Sequence, residues 1–284
     1  MSAFSAEWLA LREPYDLAAC SAAVRHAAIA CIAGLDPVAI VDLGTGTGSG
    51  LRALAPLIPA RQTWRLADND LSLLARAADT ERPARVQVNA VPIDLALDLE
   101  AALDGAVDLV TTTATLDLVS APWLTRLAVE CAARRLPVYA TLSYDGRIEL
   151  APHDPGDAAV VAAFNAHQRT DKGFGPALGP KAAAEAIVGF TAVGYFVERA
   201  PADWVLGPHD REIQNELLTG FASAAREIGS LGLDDIVGWL TRRRDLVAAG
   251  RASMRVGHID LFARPTETRR PDRSQSNSTS PSRR

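Results

Sequence analysis

The chain has 284 residues, 48% of them hydrophobic and 22% charged. That is enough apolar material for a full core, and it excludes collagenous, low-complexity and wholly disordered chains. A formal net charge of −5 disfavours a polyanionic partner such as nucleic acid.

Cys20, Cys31 and Cys131 lie far apart without a CxxC pair, so neither a disulfide framework nor a structural zinc site is expected, and a reducing cytoplasm fits best. Glu7, Arg12, Glu13 and Asp16 interrupt what a signal peptide would need as an apolar stretch. No run of about 18 apolar residues occurs, so no membrane span is expected.

From Ser5 to Ala33 the pattern is helical, with a break expected near Pro14. Val38–Leu43 (VAIVDL) is a short apolar run ending in glycines and reads as a buried strand. Further strands are expected at Thr63–Ala67, Val86–Val91, Val107–Thr113 and Val138–Ser143. Helices are expected between them at Thr47–Leu57, Leu71–Ala78, Leu95–Leu103 and Ala121–Arg134. Strand and helix alternate five times, which predicts an α/β fold: a doubly wound, mostly parallel sheet with helices on both faces.

After Ser143 the rhythm changes. Residues 145–180 are rich in Gly, Pro, His and charge and read as a lid insertion carrying one short helix, Ala158–His167. A helix at Lys181–Val193, a strand at Tyr195–Arg199, helices at Glu212–Ile228 and Asp234–Ala249 and a last strand at Arg255–Ala263 complete seven strands. Residues 1–265 read as one domain, with N-terminal helices over 1–35 and a helical insertion over 210–250 that act as a cap. Thr266–Arg284 has no large apolar side chain and reads as a disordered tail.

The sharpest signal is Val41-Asp42-Leu43-Gly44-Thr45-Gly46-Thr47-Gly48-Ser49-Gly50, a strand running into a glycine turn that opens a helix. A dinucleotide fingerprint needs G-x-G-x-x-G, and Ser49 stands at its third glycine. Asp42, two residues before the turn, would repel a pyrophosphate and favour a cationic group.

This run resembles the first motif of the S-adenosylmethionine-dependent methyltransferases with a Rossmann-like fold (class I). Trp64–Asp70 (WRLADND) is similar to that family's second strand with its terminal acid. Asp68, 20 residues beyond Gly48, suits ribose hydroxyls, with Asp70 the competing choice. Val91-Pro92-Ile93-Asp94-Leu95 resembles the segment in which an acid meets the adenine amino group and an apolar neighbour packs on the ring. Asp108–Thr113 is similar to the fourth strand, whose end faces the reacting methyl group. The resemblance implies a last strand antiparallel to the rest and S-adenosyl-L-methionine as cofactor, bound by Asp42, Gly44, Thr45, Gly46, Gly48, Asp68, Asn69, Asp94, Leu95 and Thr111. It implies methyl transfer to oxygen or nitrogen of a small molecule. The Asn/Asp-Pro-Pro-Tyr/Phe signature of amino-methylating DNA enzymes is absent, with Thr111–Thr115 in its place, and no metal-dependent catechol-like pattern is evident, so no metal is expected.

Substrate should enter over the carboxyl ends of the strands. The candidates there are Asp117 after the fourth strand and Tyr144 and Asp145 after the fifth. The lid adds Asn165, His167, Arg169 and Lys172. His167, as an imidazole, is the first choice as proton acceptor, with Tyr144 assisting. Arg169 and Lys172 suit a carboxylate or phosphate. A solvated charged loop is the plain alternative. Two other functions compete: a nicotinamide-dependent oxidoreductase, against which Ser49 and Asp42 argue, and a non-catalytic nucleoside-binding or scaffold protein on the same fold. A homodimer is the candidate assembly.

Overall fold

The computed structural model describes residues 4–266. The expected tail, apart from Thr266, lies outside them. Eight strands form one sheet: β1 (Val38–Leu43), β2 (Gln62–Asp68), β3 (Val86–Pro92), β4 (Leu109–Thr113), β5 (Val138–Ala151), β6 (Tyr195–Pro201), β7 (Trp204–Leu206) and β8 (Ser253–Pro265). The order is β3-β2-β1-β4-β5-β8-β6, with β7 also on β8. The first five strands run parallel, and β8 enters antiparallel between β5 and β6. The expected sheet is therefore present with one strand more than the seven read from sequence. β7 is only three residues long and shows no period of its own.

Alternation along β1 builds the two cores. Val41 and Leu43 face one side, where they pack with α5 (Leu99–Ala102), α6 (Ala121–Arg134) and α8 (Ala182–Ala192). Val38 and Ile40 face the other, against α2 (Ala22–Cys31), α3 (Ser49–Leu54) and α4 (Leu71–Ala78). Burial on both faces explains why VAIVDL is an unbroken apolar run. A third cluster lies over the carboxyl side of β5, where α7 (Asp157–His167), α9 (Arg211–Ile228) and α10 (Leu233–Ala248) pack with Trp204 and Met254.

Three expectations change. α1 (Ala6–Ala19) runs through Pro14, and the break falls at Cys20, where Ser21 caps α2 by accepting the Val24 amide. The Arg12–Asp16 ion pair spans the proline turn and helps hold it. Between β3 and β4, only Leu99–Ala102 of the expected Leu95–Leu103 helix is helical. β5 does not stop at Ser143 but continues to Ala151, so residues 145–151 of the expected lid are sheet. Register shifts against β8 fall between Ala140 and Ser143 and between Tyr144 and Ile148. Bulges of this kind bend a strand and hide its alternation. Among the described residues no helix is long and apolar enough to cross a membrane.

Candidate functional site

The site forms where β1, β2 and β4 end. At the β1–α3 turn Gly44 has φ +66° and Gly46 φ +52°, values that L side chains rarely adopt. A Cβ on Gly44 would stand 3.1 Å from the Thr115 hydroxyl, and one on Gly46 3.3 Å from Leu9. Gly48 is different: it turns toward Ala77, 3.2 Å from a would-be Cβ, and serves helix packing rather than the cavity wall.

The turn's amides are spent inside the protein. Gly44 and Thr45 donate to the Ala67 carbonyl at 2.9 and 3.3 Å, and Gly48 donates to Thr45 at 2.8 Å. Gly46 donates to Asp68 Oδ2 at 2.8 Å. Asp42 is buried beneath them. Its Oδ2 accepts from Thr45 Oγ1 at 2.7 Å and its Oδ1 from Thr111 Oγ1 at 2.8 Å. Burial raises its pKa to about 6, and the two hydroxyls only partly offset this. Thr111 thus supports Asp42 from behind and does not face the cavity.

Asp68 and Asp70 now separate by role. Asp70 is the N-cap of α4, its Oδ1 accepting from the Ser72 and Leu73 amides. Asp68 stands at the end of β2 on the cavity, its Oδ1 accepting the Asp70 amide at 2.9 Å. Asn69, Asp94 and Leu95 line the same space. The Leu95 carbonyl is fixed by Trp123 Nε1 at 2.6 Å. α1 roofs this space with Leu9, Arg12 and Asp16, and is pinned over the turn by the Glu13–Arg52 ion pair at 2.6 Å. The cavity measures about 380 Å³, within the range of small-molecule sites. Its lining carboxylates are Asp16, Asp42, Asp68, Asp70 and Asp94, against Arg12 and Lys172.

A second cavity of about 480 Å³ adjoins it across Arg12, Ala114, Leu118 and Lys172. Asp117, Tyr144, His167 and Lys172 line it. His167 Nε2 is 2.9 Å from Glu227, and Lys172 Nζ lies 3.3 Å from His167 Nδ1. With the ammonium donating to Nδ1 and Nε2–H donating to the carboxylate, both ring nitrogens are engaged. Desolvation lowers the Lys172 pKa. The Tyr144 hydroxyl donates to Asn165 Oδ1 at 2.7 Å, and burial pushes its pKa up, so it remains a donor. Asn165 stands behind Tyr144 and also donates to the Gly146 carbonyl.

Asp145 and Arg169 line neither cavity. Asp145 pairs with Arg147, which also holds Asp203, and Arg169 is exposed. Their expected substrate contacts are therefore not assembled here, because β5 continues past Asp145 and the turn after α7 faces outward. Conversely, Trp8, Arg12, Trp204 and His258 line the second cavity, and none of the four was a site candidate from sequence. The i, i+4 spacing of Trp8 and Arg12 on α1 was the available signal. Among the described residues no group of three or more His, Cys, Asp or Glu is placed to hold a metal ion.

The architecture and the glycine turn at the strand ends are those of the class I methyltransferases, and the chain has that fold. No protein-family model and no curated protein matches the sequence. Among solved structures, a cyclopropane-fatty-acyl-phospholipid synthase-like protein from Lactobacillus casei is similar at TM-score 0.53 and 15% identity, over 92% of this chain and 94% of that one. The YcgJ protein from Bacillus subtilis is similar at 0.47 and 14%, over 87% and 100%. The cyclopropane synthase MmaA2 from Mycobacterium tuberculosis follows at 0.44 and 11%, over 85% and 83%.

Proposed function

We propose that this protein transfers a methyl group from S-adenosyl-L-methionine to an oxygen or nitrogen of a small-molecule acceptor. The observation that carries the reading is the state of the glycine turn. Four of its amides, those of Gly44, Thr45, Gly46 and Gly48, already donate to protein oxygens. A diphosphate needs such amides free, and it would meet a wall richer in carboxylates than in cations. A cationic sulfur nucleoside suits the same wall.

The residues present fit that group. Asp68, with one amide bond on each oxygen, retains lone pairs for ribose hydroxyls. Asp94 and Leu95 border the place for the base, Asn69 lies beside them, and Asp42 holds the turn from below. Bound there, S-adenosylmethionine supplies an activated methyl carbon. The chain's own part is to orient an acceptor in the adjoining cavity and to exclude water, which is where positioning gains rate. His167 acts in this reading as a latch that fixes Lys172 at the shared wall, and Tyr144 as a ring wall whose hydroxyl is held by Asn165.

Calorimetric titration with S-adenosylhomocysteine and, separately, with NADH tests the proposal. Micromolar binding of the first with no heat from the second is expected. Binding of NADH alone overturns it.

A further inference from the structure

The second cavity holds a buried polar group that the fold leaves unsatisfied. Asp117 is only 6% exposed, and its Oδ1 has no hydrogen-bond partner. A buried acceptor of this kind costs stability, of order 1–3 kcal/mol, unless something supplies a donor. Burial raises its pKa to about 6, a shift that Arg12 and nearby backbone amides only partly oppose.

The wall around it is unusual for this chain. Aromatic residues make up 6% of the sequence. Yet six rings, five of them Trp, Tyr or Phe and one His, follow one another in T-shaped or tilted contacts along this one cavity. Trp8 meets Trp204 at 6.3 Å between centroids, Trp204 meets His258 at 4.9 Å, and His258 meets Tyr144 at 6.1 Å. Tyr144 meets Phe164 at 5.6 Å, and Phe164 meets Phe221 at 4.7 Å. Such a run offers faces and edges to a flat ligand. Burial lowers the His258 pKa to about 3, so that ring stays uncharged.

Backbone strain marks the same place. Ala114 and Leu142 both have left-handed φ, 51° and 55°, without being glycine, and both line the cavity. Strain of this kind concentrates at ligand sites. The cavity is lined by two cations, Arg12 and Lys172, and two carboxylates, Asp117 and Glu216. Arg12 is paired with Asp16 and lies 4.8 Å over the Trp204 ring. With the lining charges balanced, a neutral acceptor avoids the desolvation cost that an ion of either sign meets in an apolar, aromatic wall.

We propose that the second cavity takes a neutral aromatic acceptor bearing a hydroxyl, and that Asp117 receives the hydroxyl proton. This rests on the methyl-transfer reading given above. In the step, the hydroxyl oxygen forms a bond to the methyl carbon, and the carbon–sulfur bond breaks with its electron pair going to sulfur. The hydroxyl proton passes to the Asp117 carboxylate. The products are an aryl methyl ether, a neutral thioether and a protonated Asp117, which returns its proton to water after release.

The test is calorimetry on the full chain saturated with S-adenosylhomocysteine, using three probes on one frame: 2-naphthol, 2-methoxynaphthalene and (2-naphthylmethyl)ammonium. The first should bind about tenfold or more tightly than the second, the energy of one charge-assisted hydrogen bond. The ammonium should bind most weakly. Asp117→Leu should keep its affinity for S-adenosylhomocysteine and lose the preference for the hydroxyl. Equal binding of the two neutral probes, tightest binding of the ammonium, or binding of none overturns the proposal. The wild-type comparison decides it whether or not the variant folds. Failure of S-adenosylhomocysteine to bind at the first stage would instead count against the cofactor reading.

Discussion

Asp68 Oδ2 accepts the Gly46 amide at 2.8 Å, which ties the end of β2 to the turn after β1. One carboxylate therefore shapes the glycine turn and also presents its remaining lone pairs to the cavity. Removing it should do two things at once. Asp68→Ala should weaken S-adenosylhomocysteine by about 10- to 100-fold and cost about 1 kcal/mol of stability. Gly46→Arg, at a left-handed position beside Leu9, should abolish binding. Calorimetry and urea denaturation on the same preparations measure both effects. Unchanged affinity in either variant would contradict the site.

Asp117 should make the protein less stable as pH rises. Its native pKa of about 6 lies above the unfolded value of about 3.9, so the native state keeps the proton longer. Stability is then lost between about pH 4 and pH 6, and the deficit persists at neutral pH. Asp117→Asn should raise the melting temperature at pH 7.5, by a gain of order 1–3 kcal/mol, and the gain should shrink toward pH 4. A variant less stable than wild type at pH 7.5 would mean that the backbone amides and Arg12 outweigh the burial of the charge.

Arg243 is 2% exposed and lies inside the helical cap. It donates to Asp157 Oδ1 at 2.9 Å and to the Pro152 carbonyl at 2.7 Å, and Trp239 Nε1 shares Asp157 at 2.9 Å. Arg243→Met leaves the buried Asp157 carboxylate without its cation, with the Trp239 and Asp154 N–H groups as neutral donors, so a loss of about 3–5 kcal/mol is expected. Urea denaturation followed by circular dichroism would show it. A loss under about 1 kcal/mol would mean that Asp157 finds other donors.

Tyr144→Phe removes the donor to Asn165 Oδ1 while keeping the ring between His258 and Phe164. A cost of about 1 kcal/mol is expected, with 2-naphthol affinity changed less than about threefold. A large loss of affinity would give the hydroxyl a direct ligand contact.

Much of the glycine-turn half of the site was legible in the chain. The VAIVDL run, the glycines after it and the acid at the end of the next strand are local patterns, and each sits where its period or spacing put it. Asp68 and Asp70 could not be separated until the α4 N-cap was seen to use Asp70. The second cavity was less legible. Asp145 and Arg169 look like ligand-binding groups by composition, yet β5 runs past one and the turn after α7 points the other outward. Trp8 and Trp204 look like core residues, yet they form a cavity wall.

What the sequence determined alone was the order of strands and helices and the glycine turn. Those depend on neighbouring residues, through side-chain periodicity and backbone freedom. The tertiary structure decided which side chains share the second cavity. Arg12, Asp117, Tyr144, His167 and His258 come from five separate stretches of the chain. No local pattern encodes that meeting, because it follows from how α1, α7 and α9 pack over the carboxyl edge of the sheet. The unsatisfied Asp117 Oδ1 is visible only there, since whether a buried oxygen finds a donor depends on every segment around it.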